Sequence, residues 1–163
     1  MYRAKRILVP IDFSPESKLA LAWAVIVAQQ EPDALIQLCY VYPGTIAPVG
    51  PETLGFDYAA WEAAERKSLE IKLKRFQRRI PKDIRSSCSL AKGSVAEEVR
   101  RLCEKKAIDL IVMTTHGRRG FSRLVHGSTM EEIARLAPCP VLVLHLNLRT
   151  REAVKMEWAA QRS

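Results

Sequence analysis

The chain has 163 residues, 48% hydrophobic and 27% charged, with a formal net charge of +8. That is long enough for one domain with a full core, and too polar for a membrane-spanning protein, since no apolar run approaches bilayer length. Asp12 cuts short the first apolar run, and no small-residue cleavage site follows it, so a secretory leader is not expected and the chain reads as cytoplasmic.

In chain order, apolar runs alternate with helical patterns. A first strand is expected over about Arg6 to Ile11. Ser14 then caps a helix with Pro15 at its first position, running to about Gln30 with Leu19, Trp23, Ile26 and Val27 inward. A second strand spans about Leu35 to Tyr42. A loop rich in Pro and Gly, Pro43 to Gly55, is longer than an ordinary connection and reads as a lid or a surface loop.

A long basic helix follows, about Asp57 to Arg79, with Leu69, Leu73, Phe76 and Ile80 as its apolar stripe. Between Arg66 and Arg85 there are nine basic residues against only Glu70 and Asp83. The preferred reading is the solvated face of an amphipathic helix, and nucleic acid is not the expected partner. Phe76 lies on the inward stripe, so the charges have no aromatic platform for single-strand stacking.

A third strand is expected over about Arg85 to Leu90. Ser94 and Glu97 then form a capping box for a helix over Val95 to Lys106, with Val95, Val99 and Leu102 inward. A fourth strand runs from Leu110 to Met113 or Thr114, and Ser128 with Glu131 marks another capping box. That fourth helix stops before Pro138, and a fifth strand covers Val141 to Leu144. The pattern predicts a single doubly wound α/β domain: five parallel strands in order 3-2-1-4-5, helices on both faces. The domain takes residues 1–145, and 146–163 form an extension, either a short helix carrying Val154 and Trp158 or a frayed tail.

In that order the switch point lies between strands one and four, where ligands bind off the carboxyl ends. Asp12 follows strand one, and Thr114 to Ser128, TTHGRRGFSRLVHGS, follows strand four. A Gly- and Arg-rich loop entering a helix suits phosphate, because the helix start offers unpaired N–H groups and Arg118 and Arg119 add donors. His116 and His126 are ten apart with no thiol or carboxylate nearby, so no metal site is expected. Cys39, Cys88, Cys103 and Cys139 form no close pair and read as buried thiols.

Ile7 to Ser14, Gly93 to Val99 and Met113 to Val143 together resemble the universal stress protein family. The resemblance covers about Arg3 to Leu144 and leans toward the ATP-binding branch. There the loop reads Gly, two residues, Gly, nine residues, Gly, then Ser or Thr. Here Gly117 matches the second glycine, Arg118 to His126 are the nine, and Gly127 and Ser128 follow, while Thr114 replaces the first glycine.

The resemblance implies that Pro10, Ile11, Asp12 and Val41 line the adenine and ribose end and that Met113 and Thr114 flank the nucleoside. His116 and Gly117 would contact the ligand, and Gly127, Ser128, Thr129 and Met130 would cradle the phosphates. It implies ATP, with Mg2+ as a candidate companion ion, and a homodimer through Val141, Leu142, Val143 and Leu144. No P-loop, dinucleotide fingerprint or nucleophile elbow occurs, so nucleotide is expected to be bound in a stress or signalling module, with at most slow hydrolysis. Thr114 keeps a second reading open: a stress protein without ATP, acting as an interaction or chaperone-like dimer.

Overall fold

The computed structural model describes residues 3–43, 56–114, 128–145 and 152. Strands and helices alternate along the chain: β1 (Arg6–Pro10), α1 (Pro15–Gln29), β2 (Leu35–Tyr42), α2 (Tyr58–Gln77), β3 (Arg85–Lys92), α3 (Val95–Lys106), β4 (Leu110–Thr114), α4 (Ser128–Leu136) and β5 (Val141–Leu144). The strands form one parallel sheet ordered β3-β2-β1-β4-β5, as the sequence pattern predicts.

Because successive side chains on a strand point to opposite faces, the sheet feeds two core layers. Ile7, Val9, Ile36, Leu38, Leu110 and Val112 pack with α1 and α2. Leu8, Cys39, Val41, Ile111 and Met113 pack on the other face with α3 and α4. The central strands are buried on both sides, which is why they read as continuous apolar runs.

The edge strand β3 differs. On the face away from α2 it carries Ser87 and Ser89, which close over the buried amide of Gln37. Gln37 Oε1 accepts from Ser87 Oγ at 2.5 Å, and its Nε2 donates to Ser89 Oγ at 3.1 Å and to the Leu38 carbonyl at 3.0 Å. A buried amide is tolerated only when its donors and acceptors are met in this way.

Two expectations about local structure need correction. In α1 the most deeply buried residues are Ala20, Leu21, Ala24, Val25 and Ala28, while Leu19, Trp23, Ile26 and Val27 are half-buried. The helix is apolar almost all round, so spacing alone could not select its face. The alanines let the backbone approach the sheet, and the larger side chains flank the contact.

The second correction concerns the start of α3. Ser94 takes the extended conformation of a cap residue, but its side chain makes no capping hydrogen bond. The helix start is served by Glu97 and Glu98 in its first turn, which complement the dipole. Among the described residues no helix is long and apolar enough to cross a membrane.

Candidate functional site

The switch point falls between β1 and β4, which lie side by side with Leu8 opposite Ile111. Carried forward, that register sets Ile11 level with Thr114. Asp12 and Thr114 therefore stand at the carboxyl ends of adjacent strands, at the mouth of the crevice where doubly wound sheets take ligands.

The turn after β1 is built from Asp12, Phe13, Ser14 and Ser17. Asp12 Oδ1 accepts from the Ser14 backbone N–H at 3.0 Å and from Ser17 Oγ at 2.5 Å. The Asp12 N–H donates to Ser17 Oγ at 3.0 Å, and Ser14 Oγ caps α1 by accepting from the Ser17 N–H at 3.1 Å. Ser14 and Ser17 are buried, so these bonds are shielded from competing water.

Phe13 sits between the two halves of this network with φ at 61°, a left-handed conformation that costs a residue with a Cβ about 1–2 kcal/mol. Its ring offsets that cost by packing on Tyr40 at 4.6 Å and edge-on to Phe76 at 6.0 Å. The strained residue thus anchors the turn in the α1/α2-side core, beside the Asp12 carboxylate at the end of β1.

Sequence reasoning named Asp12 but missed Phe13 and Ser17. The spacing of Asp12, Ser14 and Ser17 was the available signal for the second. Nothing in the sequence marked Phe13, since aromatic residues rarely take positive φ.

The remaining predicted site residues divide. Val41 and Met113 are buried on the α3/α4 face of the sheet, and Met130 packs against the same layer from α4. Pro10 is half-buried, and Thr114 is half-buried at the end of β4. Ile11 is buried in the opposite layer, so it faces the crevice only through its backbone. Thr129 is exposed in the first turn of α4, which begins at Ser128 itself. His116, Gly117, Arg118, Arg119 and Gly127 lie outside the described residues, as does the loop over 44–55.

Cys39 lies two residues before Val41 on the same face. Burial, with Glu98 adding to it, pushes its thiol up to about 12. Cys103 on α3 is also pushed up to about 12, first by burial and then by the neighbouring Cys139. These thiols stay protonated near neutral pH and do not supply a nucleophile to the crevice. Among the described residues no cluster of His, Cys, Asp and Glu could hold a metal ion.

The open parallel α/β sheet, with a hydrogen-bonded carboxylate turn at its switch point, makes this a domain of the doubly wound class. Comparison with known proteins narrows this. The model of the universal stress protein family matches residues 3–145, and the chain belongs to that family.

The universal stress protein MJ0531 of Methanocaldococcus jannaschii is 32% identical over 142 residues, covering 86% of this chain and 81% of that protein. A universal stress protein of Mycolicibacterium smegmatis is 31% identical over 142 residues, and there the match spans 85% of this chain but only 45% of the relative. Among solved structures, that of the M. jannaschii protein MJ0577 superposes with a TM-score of 0.72 at 21% identity, covering 91% of this chain and 99% of that one. Two further structures share the fold. One is a universal stress protein in complex with cAMP, TM-score 0.62 at 17% identity, covering 88% of this chain and 98% of that one. The other is an Arabidopsis thaliana family member with AMP bound, TM-score 0.51 at 15% identity, covering 89% and 94%.

Proposed function

We propose that the crevice between β1 and β4 binds an adenine nucleotide, with ATP as the preferred ligand. The observation that carries this reading is the pre-formed Asp12 turn at the switch point, held by buried serines and by the strained Phe13. A carboxylate such as that of Asp12 is the acceptor type that a ribose hydroxyl or an adenine amino group pairs with. Pro10, Val41 and Met113 supply an apolar surround for the base. Gly127 and Ser128 lead into α4, whose first N–H groups and dipole suit phosphate. Family members of the same fold hold cAMP and AMP, which supports a nucleotide of this class here.

Among the described residues none is placed to activate water, and we read the bound nucleotide as a signal rather than as a substrate turned over rapidly. Thr114 stands where the ATP-binding pattern has glycine and narrows the proposed crevice at the nucleoside. We further propose that two copies associate through β5, whose short apolar edge would otherwise lie open to pairing.

Isothermal titration with ATP tests the site. Wild-type protein is expected to bind, and Gly127→Val and Ser128→Ala are each expected to weaken binding about tenfold or more, since a Cβ branch or a lost hydroxyl falls at the phosphates. A folded dimer that takes up no nucleotide would favour the second reading, an interaction module without ligand.

A further inference from the structure

The positive charge of this chain is concentrated on one element. Residues 66–85 hold nine basic against two acidic residues, which accounts for nearly all of the net +8. Three of the nine have partners. Arg66 pairs with Glu70 at 3.1 Å, Arg79 lies over the Phe76 ring at 5.8 Å, and Arg85 donates to the Asp33 carbonyl. Lys67, Lys72, Lys74, Arg75, Arg78 and Lys82 are all exposed and make no ion pair among the described residues.

Lys67, Ile71, Lys74 and Arg78 follow one another at helical spacing, so they form a single stripe along the outer face of α2, and Lys82 continues it in the turn beyond. Where the stripe meets β3, Lys74, Arg78 and Lys82 line an open groove of about 390 Å³. Gln77 and Ser86 also line it, tied to each other by an Nε2–Oγ bond of 2.9 Å. The helix dipole accounts for cations in the last turn, Lys74 and Arg75, but not for Lys67 or Lys72 further up the helix.

We propose that this face of α2, with the groove at its end, binds the phosphodiester backbone of duplex nucleic acid without reading sequence. The site is a line rather than a point: at 1.5 Å rise per residue, Lys74 and Arg78 stand about 6 Å apart along the axis and Lys67 about 10 Å beyond Lys74. Such a line fits a linear polyanion better than a single phosphate.

A membrane surface fits less well, because an interfacial helix needs a free apolar face. Here Leu69, Leu73 and Phe76 are buried against the sheet, and among the described residues of α2 the exposed large hydrophobic is Ile71, at 60%, with small exposed alanines nearer the helix start. With Phe76 buried the stripe offers no ring for base stacking, so a duplex, with its higher linear charge, is the better ligand than a single strand.

The test is fluorescence anisotropy of a short labelled DNA duplex titrated with the full chain, between about 50 and 200 mM salt. Binding is expected, with log K falling linearly in log salt. The triple variant Lys74→Gln, Arg78→Gln, Lys82→Gln is expected to bind at least about tenfold more weakly at low salt. Its slope should be shallower by about 0.9 for each phosphate contact removed. Lys105→Gln with Lys106→Gln, on the exposed end of α3, is expected to change neither quantity, with unaltered melting curves confirming that both variants fold.

Equal losses in the two variants would overturn the site, since general charge would then explain binding. The absence of duplex binding at low salt, preference for a single strand, or binding only to phosphatidylserine vesicles would each overturn the ligand. Saturating ATP is expected to leave duplex binding unchanged, because the crevice lies at the ends of β1 and β4, away from this face.

Discussion

At the scale of single residues, three described side-chain-bearing residues, Phe13, Asp33 and Ala107, take backbone conformations that glycine would take more cheaply, and two of them show different reasons. Phe13 is left-handed because its ring is needed in the core and its backbone must carry the chain past Asp12. Ala107, at φ 48°, ends α3, with its N–H turned back to Cys103 and Glu104 and the Ile108 N–H donating to the Cys103 carbonyl at 3.0 Å. Ala107 is exposed and packs nothing that a glycine would lose. Ala107→Gly is therefore expected to stabilise the fold by about 0.5–1 kcal/mol, read from the denaturation midpoint at unchanged slope. Asp109 acts through its side chain instead: its Oδ2 accepts from the Lys5 and Arg6 N–H groups at 3.1 and 2.9 Å, fastening the start of β1 beside β4. Sequence spacing gave no sign of that role, because both partners are a hundred residues upstream.

At the scale of elements, the sheet and the two layers on it explain what could be read and what could not. The strands β1, β2 and β4 were legible because parallel strands buried on both faces are largely apolar runs, whereas the polar edge strand β3 is not one. The entry to α1 was legible because Ser14 and Pro15 are local signals, and Ser14 does cap the helix. The buried face of α1 was not legible, since its composition is apolar on every side, and the choice is made by how closely alanines pack on β1 and β4. Ser94 shows the converse: a capping-box spacing is present, yet the side-chain bond is not made.

The α3/α4-side layer also carries a pH dependence. Cys39 and Cys103 hold their protons up to about 12 in the folded chain, against an ordinary value of 9.0. Between these values the unfolded chain loses protons that the folded chain keeps, so stability falls as pH rises above about 9, by at most about 1.4 kcal/mol per pH unit for each thiol. The melting temperature is expected to drop between pH 9 and 11, and less steeply in the Cys39→Val, Cys103→Val variant. Equal slopes in the two proteins would assign the loss to other groups.

At the scale of the whole molecule, the chain order set the position of the crevice before any side chain was considered, because a 3-2-1-4-5 sheet has its switch point between β1 and β4. Asp12 was legible as the residue that follows β1 at the switch point, whereas its fixation by Ser17 and Phe13 depends on the three-dimensional turn. The proposed pairing with a second copy uses the edge strand β5, whose Val141, Leu142 and Val143 are half-buried. Sedimentation velocity is expected to give twice the chain mass, and a monomer at micromolar concentration would remove the β5 interface from the account.

The central claim is that the switch-point crevice holds an adenine nucleotide. The most direct test is to denature freshly purified protein and identify what it releases by mass spectrometry. The account predicts an adenine nucleotide, chiefly ATP, in near-stoichiometric amount, with Thr114 a tolerated replacement for glycine. Release of no nucleotide, together with no uptake of ATP by the refolded or untreated protein, would contradict it.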